Sequence, residues 1–318
     1  MTKQRDFIWK SDMNEPHKVR RMDIMKKHPA IQRLFGHDPK SKWICILLVS
    51  LQMYISTVLP HCSMWVYGIV VYAVGATITQ SLFLAVHETS HNLMFKSPNL
   101  NRCFSIFLNL PVVIPFSIAF RHYHLDHHKY QGVDGLDTDL PTNLELRMAN
   151  NRVSKLLWMA FQIVMYAVRP VIHGTNKLKP TFILSCNITV QLLFDVVVYM
   201  VWGVDPLLYL MLSVFVAGGL HPCAGHFLSE HYVFDPSGSQ ETFSYYGSLN
   251  MLTWNVGYHN EHHDFPYVPG SRLPLVYKIA AEYYEPLIKC DSWVHSIYRY
   301  ITTPAIGPHC RIKRKQVI

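Results

Sequence analysis

The run MWVYGIVVYAVGATITQSLFLAVHETSH, Met64 to His91, decides how the rest of the chain is read. Its first part, Met64 to Val86, holds no Asp, Glu, Lys or Arg. As a helix rising 1.5 Å per residue it is long enough to cross the ~30 Å hydrocarbon core of a bilayer. It runs straight into His87-Glu-Thr-Ser-His91, two imidazoles one helical turn apart. Polar groups gathered at the end of a membrane helix are costly unless they share a task.

Working outward, a matching apolar run covers Trp43 to about Leu59, and Pro60 to Ser63 breaks it from the first. A third run spans Thr181 to Trp202, and a turn at Gly203 to Pro206 leads into a fourth that reaches Leu220. The expected fold is therefore an all-α integral membrane protein with about four transmembrane helices in two hairpins. Phe104 to Phe120 is apolar but interrupted by Pro111 and Pro115, so it reads as re-entrant or interfacial. Leu156 to Val168, between Lys155 and Arg169, reads as lying along the headgroup surface. With no internal repeat or long low-complexity linker, the 318 residues form one membrane domain, 43–318, behind a polar leader, 1–42.

Composition agrees. Half of the residues are hydrophobic and only 16% are charged. The net charge of +8 lies beside apolar spans, which favours anionic headgroups over nucleic acid as its counterpart. No Lys or Arg occurs from Trp43 to Phe95, whereas Lys18, Arg20, Arg21, Lys26 and Lys27 precede that segment. The positive-inside tendency puts the leader in the cytosol and the two short turns on the far side. The histidine clusters and the basic tail (Arg311, Lys313, Arg314, Lys315) then share the cytosolic face. Seven scattered cysteines without a C-x-x-C pair suggest reduced thiols. The leader lacks an apolar signal core, and Thr2 excludes N-myristoylation. The sequon at Asn187 falls inside an apolar span, which argues against its use.

Two further clusters repeat one pattern: His124-Leu-Asp-His127-His128 and His259-Asn-Glu-His262-His263. On a helix, positions i, i+3 and i+4 share a face, so each triplet points one way. Asp126 and Glu261 stand at i+2, on the opposite side; they are expected to accept imidazole N–H groups, not to bind metal. Ordinary interfacial histidines would account for one H-x-x-x-H pair but not for two H-x-x-H-H copies besides. Eight imidazoles exceed one ion and suit two. His231 is expected as a further ligand and His226, four residues before Glu230, as an additional candidate, whereas His221 reads as a helix-end residue. Imidazole binds zinc, copper, iron and nickel alike; redox work on an unactivated substrate would select iron. His87-Glu-Thr-Ser-His91 also satisfies the H-E-x-x-H of zinc proteases, a reading that leaves six clustered histidines without a purpose.

Four stretches carry a resemblance. They are Glu15-Pro-His-Lys-Val-Arg-Arg-Met22, the run from His122 to Pro141 through HYHLDHHKYQGVDGLDTDLP, Gly219 to Tyr232 (GLHPCAGHFLSEHY), and Trp254 to Pro266 (WNVGYHNEHHDFP). In these the chain resembles the sphingolipid Δ4-desaturases of the membrane fatty-acyl desaturase and hydroxylase superfamily. The resemblance implies a di-iron centre (two Fe ions) on the cytosolic face of the endoplasmic reticulum, with dioxygen as co-substrate. It also implies a dihydroceramide-type lipid substrate that gains a trans 4,5 double bond, with carbon-4 hydroxylation as a side reaction. Fatty-acid or sterol hydroxylases use the same boxes and are the alternative. Cytochrome b5 and its NAD(P)H-dependent reductase are the implied electron donors, since the sequence carries no haem or nucleotide motif of its own.

Overall fold

The computed structural model of the chain describes residues 6–11, 16–173, 178–235 and 240–315; Thr2 and Glu15 lie outside them. Helices dominate. They are α1 (Pro16–Lys27), α2 (Ser41–Val58), α3 (Met64–Ser90), α4 (Pro98–Asn109), α5 (Ser117–Lys129), α6 (Arg152–His173), α7 (Phe182–Trp202), α8 (Asp205–Ala217), α9 (His259–Asp264) and α10 (Trp293–Thr302), with shorter turns between. The fold is not purely helical. Two short parallel pairs join β1 (Ile8–Lys10) to β4 (Ile312–Arg314) and β2 (Ser244–Tyr245) to β3 (Lys289–Cys290).

The two expected hairpins form. Their connections sit side by side, since Pro60, Cys62, Asp205 and Leu208 line one shallow cavity of about 460 Å³. The histidines occupy the opposite end of α3. Among the described residues five helices are long and apolar enough to cross a membrane, where the sequence reading expected about four, and a bent pair makes six if it is one span. The fifth is α6, read from sequence as surface-lying. Lys155 and Arg169 seemed to bound its apolar stretch, yet both turn inward. The Lys155 ammonium donates to the Thr303 carbonyl at 2.8 Å, and the Arg169 guanidinium donates to Glu145 at 2.8 Å. Charges satisfied inside the protein do not end a helix, so α6 continues past both.

Helices α4 and α5 are bent by 115°. Asn109 makes the corner: its side-chain oxygen accepts from the Phe116 and Ser117 amides at 2.9 and 2.8 Å, groups that an α5 start would otherwise leave unpaired. Its amide nitrogen donates to Gln191 of α7 at 2.8 Å. Asn187, the sequon residue, is fully buried in the same knot. No disulfide joins any of the seven cysteines, all of which are among the described residues.

A π-helical turn, Val71–Gly75, interrupts α3. Gln52 of α2 donates to the Gly75 carbonyl at 3.2 Å and to Thr79 at 3.1 Å, while Tyr209 of α8 donates to Gln52 at 3.2 Å. Polar groups so placed bind three apolar helices together without the help of water. The approach is close enough that a Cβ on Gly75 would lie 2.4 Å from the Ser213 hydroxyl. Gly75→Ala is expected to destabilise the bundle by about 1–3 kcal/mol, read as a lower melting temperature in detergent, whereas Gly68→Ala, which meets no neighbour, leaves it unchanged.

Candidate metal centre

Each histidine box is delivered by a different element: His87 and His91 by the end of α3, His124, His127 and His128 by α5, and His259, His262 and His263 by α9. His231 follows the helix that continues α8 to Ser229. The rings converge, and they divide into two groups. In the first, ring nitrogens of His87, His91, His124, His128 and His262 all lie within 4.8 Å of one another. The Nε2 atoms are 2.8 Å apart for His91 and His124, and 3.1 Å apart both for His124 and His128 and for His128 and His262. In the second, His127, His231 and His263 meet the same criterion. His259 joins them, its Nε2 2.9 Å from His231 and 3.1 Å from His263. The groups adjoin, because the rings of His128 and His263 stack at 4.2 Å.

The sequence reading treated each triplet as pointing one way. Instead, neighbouring imidazoles separate: His124 and His128 serve the first group and His127 the second, while His262 serves the first and His259 and His263 the second. The i, i+4 pairs stay together, as helix geometry requires. The additional residue in each H-x-x-H-H, rotated by about 100°, reaches the other group.

Protonation follows from the outer partners. His127 donates through Nδ1 to Asp137 at 3.0 Å, and His231 through Nδ1 to the Glu241 carbonyl at 3.3 Å. The Glu241 carbonyl has no hydrogen to give, so His231 keeps its proton on Nδ1 and presents a lone pair at Nε2. Its Nε2 lies 3.1 Å from that of His127. Burial holds His231, His259, His262 and His263 well below the ordinary imidazole range, and neighbouring imidazoles add to the effect, so these four rings are neutral. His127 differs, because the Asp137 carboxylate outweighs burial and raises it. Neutral imidazole nitrogens gathered in this way are suited to hold a cation. The nine rings thus form two groups, each of which could hold a metal ion.

Asp126 lies 3.6 Å from His122, which belongs to neither group. Glu261 accepts hydroxyl hydrogens from Ser244 at 2.8 Å and Tyr246 at 2.7 Å, and burial raises its carboxyl to about 7. The carboxylates that meet clustered rings are Asp137 and Glu230, the latter 3.6 Å from His259 Nδ1. His226 stands outside both groups with its Nδ1 3.0 Å from Glu230. His221 is the helix-end residue expected, capping the turn at Cys223. Glu88, the protease general base of the H-E-x-x-H reading, accepts the Gly270 amide at 3.1 Å.

The leader supplies residues that spacing did not reveal. His17 packs on the His263 ring at 4.8 Å, and its Nδ1 and Nε2 meet Asp264 at 2.7 Å and Thr242 at 2.9 Å. Arg20 donates to both Asp264 oxygens at 2.6 and 2.9 Å. Burial alone would raise the Asp264 carboxyl, but Arg20 and His17 outweigh it and hold it below the usual range. The basic tail lies against the cap: Arg311 and Arg314 are buried against Asp139 and Glu241, and Lys313 reaches Asp134. A run of acidic residues after the second box (Asp134, Asp137, Asp139) was the one available signal for these partners.

Comparison with known proteins agrees with this geometry. The fatty acid desaturase family matches residues 63–291, and the sphingolipid Delta4-desaturase family matches residues 3–40. The chain belongs to the sphingolipid Δ4-desaturase branch of the fatty acid desaturases. A sphingolipid delta(4)-desaturase DES1-like protein of Oryza sativa subsp. japonica is 49% identical over 98% of this chain and 93% of its own length. One of Arabidopsis thaliana is 48% identical over 98% and 92%. A sphingolipid delta(4)-desaturase DES1 of Drosophila melanogaster is 47% identical over 98% and 96%. The protein is thus an oxidoreductase of the desaturase type, membrane-bound by its apolar helices.

Asp137→Asn is expected to weaken metal retention by about 10–100-fold, measured by competition with a chelator, whereas Asp126→Asn changes it only a few-fold. Asp264 contributes stability that is fully present above its unfolded value of about 4 and lost as pH falls through the depressed folded value. Arg20→Ala removes the charge that depresses it, so the melting temperature of the variant should fall less steeply below about pH 4. At neutral pH the same change should cost about 3 kcal/mol, because Asp264 stays buried with its charge poorly compensated.

Proposed function

We propose that this desaturase of the sphingolipid Δ4 branch introduces a trans 4,5 double bond into the sphinganine chain of a dihydroceramide, with two iron ions held by the nine histidines. His87, His91, His124, His128 and His262 hold one ion, and His127, His231, His259 and His263 hold the other. The observation that carries this reading is the convergence of nine imidazoles from separate elements into two adjoining groups. Bound iron would supply dioxygen activation and hydrogen abstraction, chemistry beyond any side chain. The protein's own task is positional. Asp137 and the Glu241 carbonyl keep protons on the outer ring nitrogens, so the inner ones remain ligands. Burial excludes water from the reacting carbons, and the packed helices hold the chain in one register against the rings.

The leader, 1–42, is proposed as part of this apparatus, since His17 and Arg20 brace the third box from outside. The positive charge before α2 supports a cytosolic leader, and the family resemblance supports the endoplasmic reticulum membrane and electrons from cytochrome b5 and its reductase. Hydroxylation at carbon 4 is a second outcome. It is favoured by a Caenorhabditis elegans relative, 43% identical, whose name joins delta(4)-desaturase with C4-monooxygenase.

Membranes containing the protein, given labelled dihydroceramide, reduced nicotinamide cofactor and dioxygen, should yield ceramide with the trans 4,5 bond. His128→Ala and His127→Ala should each abolish turnover and lower bound iron from about two per chain to about one or fewer. Normal turnover in either variant, or full activity without iron, overturns the assignment.

A further inference from the structure

A double bond at carbons 4 and 5 lies next to the polar end of the lipid, because carbons 1 to 3 carry a hydroxyl, an amide and a second hydroxyl. If the reading above holds, the groups that recognise that end must stand beside the histidines. A mid-chain desaturase has no need of polar groups there.

Such groups are present, and the metal sites do not use them. Gln80 lies on α3 seven residues before His87, two helical turns and about 10 Å away on the same face. It is fully buried, yet neither its amide nitrogen nor its oxygen has a partner among the described residues. The same face of α3 is mapped on both sides of it. One turn earlier, Thr77 meets His221 at 3.2 Å; one turn later, Leu84 packs in one cluster with Trp293. Trp293 is also fully buried with its indole N–H unpartnered. It presses on the turn after His221 so closely that a Cβ on Gly225 would lie 2.5 Å from it. The next residue, His226, places its ring 5.9 Å from Trp293; its Nδ1 meets Glu230, and its buried Nε2 is unpartnered. Buried polar atoms are nearly always paired. Three side chains with unpartnered polar atoms along one seam between His221 and His87 therefore mark a place made for a polar ligand.

We propose that Gln80, Trp293 and His226 bind the amide and hydroxyl groups of the sphingoid head and thereby set carbons 4 and 5 against the histidine groups. A carboxamide offers both a donor and an acceptor and matches the lipid amide reciprocally. The indole N–H donates to a lipid oxygen. With its Nδ1 hydrogen given to Glu230, His226 accepts a hydroxyl hydrogen at Nε2. Regiochemistry then follows from the distance between this seam and the metal ligands.

The test compares dihydroceramide with its N-methyl analogue, which lacks the amide donor, in wild-type, Gln80→Leu and Trp293→Phe proteins. Wild type should prefer dihydroceramide strongly. Gln80→Leu should lower kcat/KM for dihydroceramide by about 10–100-fold and that for the analogue by less, since the analogue already lacks one of the two hydrogen bonds, so that the preference falls. Trp293→Phe keeps the ring and should lower kcat/KM for both lipids. Bound iron, measured on the same samples, should stay at the wild-type level, and purified Gln80→Leu should retain less labelled dihydroceramide without dioxygen. A Gln80→Leu protein that keeps full preference overturns this inference while leaving the desaturase reading intact, as does a loss shared equally by both lipids. A wild-type protein that desaturates no sphingoid lipid overturns the desaturase reading itself.

Discussion

Nine imidazoles converge into two adjoining groups, and the rest of this structure is organised around holding them there. Three conditions hold together. The outer nitrogens of His127 and His231 keep their protons through Asp137 and the Glu241 carbonyl. Burial favours the neutral form at His231 and His263 by penalising the charged one. Finally, rings from α3, α5, α9 and the segment after α8 are held together by the surrounding packing.

That packing explains why both ends of the chain fold back onto the cap. The leader buries Ile24 and Ile31 against Phe265, Val268, Leu273 and Val276, the residues that follow the third box. Apolar burial of this kind contributes about 1.5–3 kcal/mol per large side chain. At the other end, β4 pairs with β1, and the tail reaches acidic residues of the cap: Arg311 to Asp139, Lys313 to Asp134 and Arg314 to Glu241. Glu241 is also the residue whose carbonyl holds His231. The two termini thus brace the ligands on the side facing away from the helices.

Much of this was legible in the residues, for physical reasons that also set the limit. The apolar runs around Met64 and Thr181 revealed their helices because lipid demands continuous hydrophobicity, and the nine candidate ligands, His231 included, all reach the two groups. What spacing could not reveal was anything decided by long-range pairing. Lys155 and Arg169 look like the ends of an apolar segment until Thr303 and Glu145 are seen to satisfy them. Asp126 and Glu261 sit inside the boxes and attract attention, whereas Asp137, ten residues beyond His127, does the supporting. The partners of the basic tail were not legible because no local rule announces that they lie more than 70 residues away.

The repeat H-x-x-H-H encodes more than a count of ligands. An i, i+4 pair alone projects two imidazoles into one space, as His87 and His91 do, and a mononuclear site asks no more of a helix. The adjacent histidine in each triplet is turned by about 100°, too far to share that space comfortably but well placed for a neighbouring one. On α5 the adjacent residue is His127; on α9 it is His262, and each crosses to the other group. Two helices exchanging one ligand apiece fix the separation of the two groups through backbone geometry, not through side-chain flexibility. A division into two groups is therefore written into the rotation of the α-helix, and the stacked rings of His128 and His263, one from each helix and one from each group, are where the two halves meet.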